Sequence, residues 1–195
     1  MKERDDSEVK YVIKEEEKKP DSIWKELRSW GAYLVIAMLL SYVIITYVGQ
    51  RTKVEGESML PSLEHGDNLI VDKLSYHFTE PERYDIVVFP YEEDVYYIKR
   101  IIGLPGETVQ IIDGEVYVNG QLLGETYGRE TMEYAGIAEM PIQLGEDEYF
   151  LLGDNRNHSA DSREASVGPI EKERLLGKAF VRTWPLDRIG VIRHE

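Results

Sequence analysis

Cysteine is absent from this 195-residue chain. A disulfide framework, a thiolate nucleophile and a cysteine zinc site are therefore excluded. Its four histidines (His65, His77, His158 and His194) lack HExxH-type spacing, so neither a metal nor any other cofactor is expected. Positive charge is also in deficit: 23 Lys and Arg stand against 37 Asp and Glu, a net charge of −14. A nucleic-acid partner needs a basic face, so that class of function is excluded. The lack of cysteine suits an oxidising exterior.

One stretch lacks charge altogether. Residues 29–50, SWGAYLVIAMLLSYVIITYVGQ, carry no Asp, Glu, Lys or Arg. A helix needs about 20 such residues to cross the hydrocarbon core of a bilayer. Lys14, Lys18, Lys19, Lys25 and Arg28 precede the run, whereas only Arg51 and Lys53 follow it closely. The positive-inside rule then predicts a cytoplasmic tail over 1–28, a single transmembrane anchor over 29–50 and an external domain over 51–195. Two rival readings are a cleavable leader and a buried core helix. The charged region is too long and the apolar core too extended for the former. Residues 51–195 carry 15 Lys and Arg and 28 Asp and Glu, net −13. Such a domain will not bind anionic lipid through charge, so its membrane contact must be apolar.

Beyond Val54 the pattern is of strands. Thirteen tyrosines and many β-branched residues favour sheet over helix. Asn68–Asp72, Asp85–Pro90, Val95–Ile102, Tyr149–Leu152 and Gly177–Trp184 read as strands. Thr108–Ile112, Glu115–Val118 and Gln121–Leu123 form a hairpin series, joined by Asp113-Gly114 and Asn119-Gly120. Those dipeptides supply the positive φ that two-residue hairpin loops demand. The fold class expected is mainly antiparallel β, preceded by one helix. Residues 124–148 are polar and read as an insert over the core.

Three segments could carry chemistry. In VEGESMLPSL, Ser58 lies between Gly56 and Pro61, in a loop able to fix a hydroxyl and aim a backbone N–H. Leu60 replaces the second glycine of GxSxG, which excludes a nucleophile elbow. A plain turn serine is the bland alternative. In YEEDVYYIKRIIGLPG, Lys99 sits within an apolar strand pattern, with Tyr97 and Ile101 on its side and Arg100 pointing to the opposite, solvent side. A desolvated lysine loses its proton more readily; an edge-strand lysine in water is the alternative. LGDNRNHSADSR packs Asp154, Arg156, Ser159, Asp161 and Arg163 into one loop, which suggests a buried network of Arg–carboxylate pairs. A solvated turn, or a Ser–His–Asp set using His158, competes with it.

Taken together and in this order, the three segments resemble those of type I signal peptidases, the bacterial leader peptidases, across essentially the whole chain. The single apolar run and short C-terminal domain resemble the Gram-positive branch. The resemblance implies Ser58 as nucleophile and Lys99 as general base, with Ser159 orienting Lys99 and Asp154, Arg156, Asp161 and Arg163 bracing the site. It implies leader-bearing precursor proteins as substrates, with small residues at the first and third positions before the cut. It places the enzyme at the outer face of the bilayer, near the export machinery. Val54, Gly56, Met59, Leu63 and Tyr97 are the candidate walls of the substrate site. Gly56 stands where some members carry a serine that assists the oxyanion hole. Other readings are a self-cleaving Ser/Lys repressor, disfavoured by the apolar run, and a catalytically dead anchored β domain.

Overall fold

The computed structural model describes residues 20–43, 49–93, 95–125, 127–128 and 130–194. It divides into two compact units, Met1–Tyr42 and Val43–Glu195. Helix α1, Pro20–Val43, belongs to the first but for its last residue. Apolar side chains are exposed along the helix, with Trp30 at 72% and Leu40 at 59%. Among the described residues no helix is long and apolar enough to cross a membrane. Residues 1–19 of the expected tail and 44–48 of the expected span lie outside the described residues. Gly49 and Gln50, read from sequence as the end of that span, begin a strand instead.

Among the described residues of the second unit, every strand pairing is antiparallel. Its strands are β1 Gly49–Lys53, β2 Asn68–Asp72, β3 Ile86–Glu92, β4 Val95–Gly103, β5 Thr108–Ile112 and β6 Glu115–Val118. They continue as β7 Gln121–Leu122, β8 Ile142–Gln143, β9 Glu148–Leu152, β10 Ile170–Glu171, β11 Gly177–Trp184 and β12 Gly190–Val191. The larger sheet runs β1-β2-β11-β3-β4-β9-β10, with β12 on β11; the smaller runs β7-β6-β5-β8. The mainly β class read from the sequence is what is found. β1, β8, β10 and β12 escape the sequence pattern because they are short or polar, as GQRTK and IQ illustrate.

Three apolar clusters explain why the central strands read as unbroken runs. Ile86 and Val88 of β3 face one cluster, with Val71, Met59 and Leu63. Val87 and Phe89, on its other face, enter a second with Ile101, Tyr149 and Leu151. Ile102, Phe150 and Leu152 join the small sheet in a third. β3, β4 and β9 are thus covered on both faces, and a strand covered on both faces has no solvent side to alternate toward. β4 carries Lys99 and Arg100 through this layer. The segment 124–148 also feeds the third cluster, through Met132, Ala138 and Leu144.

The hairpin turns take the backbone their dipeptides encode: φ is +51° at Asp113, +78° at Gly114, +52° at Asn119 and +75° at Gly120. The two glycines differ in their surroundings. A Cβ at Gly114 would collide with Thr131 and Met132, whereas one at Gly120 meets open space. Gly120→Ala is therefore expected to lose about 1 kcal/mol, the cost of a left-handed alanine, and Gly114→Ala at least about twice that, as overpacking is added. Urea unfolding compares them; equal losses would show that Thr131 and Met132 do not wall the first turn.

Candidate active site

The β1–β2 loop is closed at its base by two backbone bonds, Val54 N–H to the Asp67 carbonyl (2.8 Å) and Gly66 N–H to the Val54 carbonyl (2.9 Å). Met59 and Leu63, 2% and 0% exposed, plug the loop into the core and leave Ser58 at its rim. Gly56 turns the chain with φ of +97° and donates its N–H to His65 Nδ1.

Lys99 faces Ser58 from β4. Its Nζ donates to Ser58 Oγ at 2.9 Å and to the Ile98 carbonyl at 3.1 Å. It also lies 4.8 Å from the centre of the Tyr97 ring. The residue is 4% exposed. Burial strips water from the ammonium and lowers its pKa from 10.5 to about 8, against the opposing pull of the Asp161 and Asp154 charges. A buried amine hydrogen-bonded to a hydroxyl can exchange a proton with it.

Arg100 points to the opposite face of β4, but not to solvent as the alternation suggested; it is 1% exposed. The far face of a central strand is another core layer, where a guanidinium survives only when paired. Arg100 grips Asp154 with Nε and Nη2 at 2.8 and 2.7 Å. It also donates to the Tyr84 carbonyl and covers the Tyr127 ring at 3.6 Å. Ser62 donates to the same carboxylate at 2.5 Å. Tyr84 adopts φ of +74° where it offers that carbonyl.

The loop after β9 holds two further buried pairs. Arg163 embraces Asp161 with Nε and Nη2 at 2.8 and 2.9 Å, while Asp161 also accepts the Gly153 N–H. Arg156 grips Glu125 at 2.5 and 2.6 Å and donates Nε to the Gly153 carbonyl. Asn155 N–H donates to the Ser58 carbonyl at 3.0 Å, tying this loop to the serine loop. Asp154 and Asp161 therefore each have a guanidinium partner, which limits how far they can hold Lys99 protonated.

Ser159, expected to orient Lys99, has its Oγ buried without a hydrogen-bond partner; it lies against Gly153, where an added Cβ would collide with that oxygen. An open groove of about 600 Å³ runs past Ser58 and Lys99 and is walled by Val54, Gly56, Met59 and Tyr97. Leu63 is not among its walls, because its side chain packs downward into the core. The groove is completed by Gln50–Lys53 of β1, by Val95, Tyr96 and Ile98 and by Ala160, which sequence reasoning missed, and by His158, which the sequence offered only as part of a Ser–His–Asp set. Their only signal was proximity to the chemical segments. No cluster of three or more His, Cys, Asp or Glu able to hold a metal occurs among the described residues.

With this geometry in view, comparison with known proteins gives a consistent answer. Residues 27–184 match the family "Signal peptidase, peptidase S26". The chain is 40% identical to a probable signal peptidase I-2 of Synechocystis over 96% of its own length and 85% of that protein. It is 42% identical to a signal peptidase I of Leptolyngbya laminosa over 80% and 78%. It is 36% identical to a signal peptidase I of Bacillus licheniformis over 89% and 97%.

The buried Lys99 makes a prediction about stability. Between about pH 8 and 10.5 its amine is neutral in the folded chain and charged in the unfolded one. The unfolded state then binds the extra proton, so stability rises with pH through that window. Below it, the burial penalty is fully present and amounts to roughly 3 kcal/mol. Lys99→Met, which has no charge to desolvate, is expected to be more stable than wild type at pH 7 by up to about that amount. The gap should narrow above pH 8. Chemical unfolding at pH 7 and pH 10 measures it, and a Met variant less stable at pH 7 would contradict the burial argument.

Proposed function

The chain belongs to the signal peptidase family and is a serine endopeptidase, and on that premise we propose that Ser58 and Lys99 form the dyad with which it removes leader peptides from exported precursors. The observation that carries the reading is the 2.9 Å contact between Lys99 Nζ and Ser58 Oγ, with the lysine withdrawn from water.

Neutral Lys99 accepts the Ser58 proton as Oγ attacks the scissile carbonyl. The Ser58 N–H is the candidate donor to the oxyanion of the tetrahedral intermediate. Gly56 offers no hydroxyl there, and its own N–H is spent on His65. Collapse of the intermediate breaks the C–N bond, and the proton on Lys99 passes to the departing amine. Water then attacks the ester left on Ser58 as Lys99 takes its proton, and breakage of the C–Oγ bond returns that proton from Lys99 to Ser58 Oγ. With its pKa near 8, about a tenth of the enzyme carries a neutral Lys99 at pH 7, against fewer than about one in a thousand at the ordinary value.

The substrate lies along the groove as an added strand beside β1, the edge strand of the larger sheet. Val54, Met59 and Tyr97 leave room for small side chains next to Ser58, consistent with leaders that end in A-x-A. The charge-free run from residue 29 anchors the enzyme until the chain enters β1 at Gly49, with the tail 1–28 in the cytoplasm and the β domain outside; the exposed apolar side chains of α1 support this. There the domain meets leaders as the export machinery delivers them at the bilayer.

The test is cleavage of a leader-bearing precursor by the pure enzyme in detergent. Ser58→Ala and Lys99→Met are each expected to reduce kcat/KM by about a thousandfold or more. In the wild type kcat/KM should rise with pH to a half-maximum near 8. Undiminished cleavage by Lys99→Met would remove this lysine from the mechanism.

A further inference from the structure

Of the three buried Arg–carboxylate pairs around the dyad, two are internal to the parts already named. Arg163 pairs with Asp161 two residues away, and Arg100 of β4 with Asp154 of the loop. The third is different. Arg156 takes its counter-charge from Glu125, 31 residues upstream in the segment 124–148. Both partners are nearly sealed from water, their side chains 3% and 9% exposed. Gly128 closes over the guanidinium; a Cβ there would stand 2.9 Å from Cζ.

The other end of Arg156 reaches the dyad. Its Nε donates to the Gly153 carbonyl at 3.0 Å. Gly153 has no slack, because a Cβ on it would collide with Ser159 Oγ and the Ser58 carbonyl. A small shift of this peptide therefore moves the wall against which Ser58 rests. The segment 124–148 also holds the far part of the loop, where Asn157 meets the Thr131 carbonyl and Ile137 N–H meets the Arg163 carbonyl. Neither of those contacts is at the Gly153 end, where the Gly153 carbonyl is held through Arg156.

We infer that Glu125 is a positioning residue for Ser58: it clamps the Arg156 guanidinium, which in turn fixes the Gly153 carbonyl and the peptide packed against the serine. A guanidinium left buried without its carboxylate turns toward water, and the Gly153 peptide is released with it. The inference rests on the Ser58–Lys99 reading. It gives the segment 124–148, which also packs into the third apolar cluster, a part in catalysis without contact to the substrate.

The test compares Glu125→Gln, Glu125→Asp and wild type as full chains in detergent, on a leader-bearing precursor, with folded protein quantified by circular dichroism. Glu125→Gln should lower kcat ten-fold or more, as misplacement of a reacting group does, with KM within about two-fold. Glu125→Asp, which keeps the charge, should restore kcat toward wild type. Gly128→Ala, which crowds the guanidinium from outside without removing charge, should lower kcat in the same way and serves if Glu125→Gln folds poorly. Unchanged kcat per folded molecule in Glu125→Gln or Gly128→Ala overturns the inference, and so does a rise in KM at constant kcat. Ser58→Ala is the control: if it cleaves like wild type, the failure lies with the dyad and not with Glu125.

Discussion

Removal of water from one lysine is the constraint on which the site depends. Lys99 sits on a strand sandwiched between core layers, and its ammonium gives up most of its hydration there. The desolvation that would destabilise an ordinary surface lysine is what lowers its pKa to about 8. The core residues of β3, β4 and β9 thus do more than hold the sheet together; they set the proton affinity of Lys99. The chain gives up part of its stability to bury that amine, a cost commonly found where polar groups are buried at functional sites.

The carboxylates nearby would undo this if left free. Asp154 and Asp161 both pull the Lys99 pKa upward. Each is paired with a guanidinium, Asp154 with Arg100 and Asp161 with Arg163. Buried ion pairs of this kind add little net stability, but breaking one is expensive. Their contribution here is geometric and electrostatic. They fix the loop that supplies Asn155 N–H to the Ser58 carbonyl, and they blunt the field that would keep the lysine charged.

The sheet was legible in the sequence where its signals are physical: β-branched runs for the central strands and Asp-Gly and Asn-Gly for the hairpins. Strands such as β8 and β10, of two residues each, have no periodicity to read. Gly49 and Gln50 continue an uncharged run in sequence, yet they pair with Asp72 and Val71 in β1. Ser58 and Lys99 could be named from local chemistry and family resemblance. Their meeting across 41 residues is a property of the fold. Arg100 was misplaced because period-two reasoning assumes a wet face, and β4 has none. Leu63 was misplaced because nearness to Ser58 in sequence does not say which way a loop side chain turns. Glu125 was invisible, since nothing in a polar stretch marks the one carboxylate that will find a buried arginine.

Burial alone, before any substrate arrives, lowers the pKa of Lys99 from the ordinary lysine value to about 8. Titration of the lysine ε-carbon by NMR, assigned by comparison with Lys99→Met, reads this without recourse to activity. One lysine should titrate with a midpoint near pH 8, and its resonance should be missing from the variant. A Lys99 resonance that titrates with its neighbours near the ordinary value of about 10.4 would contradict it.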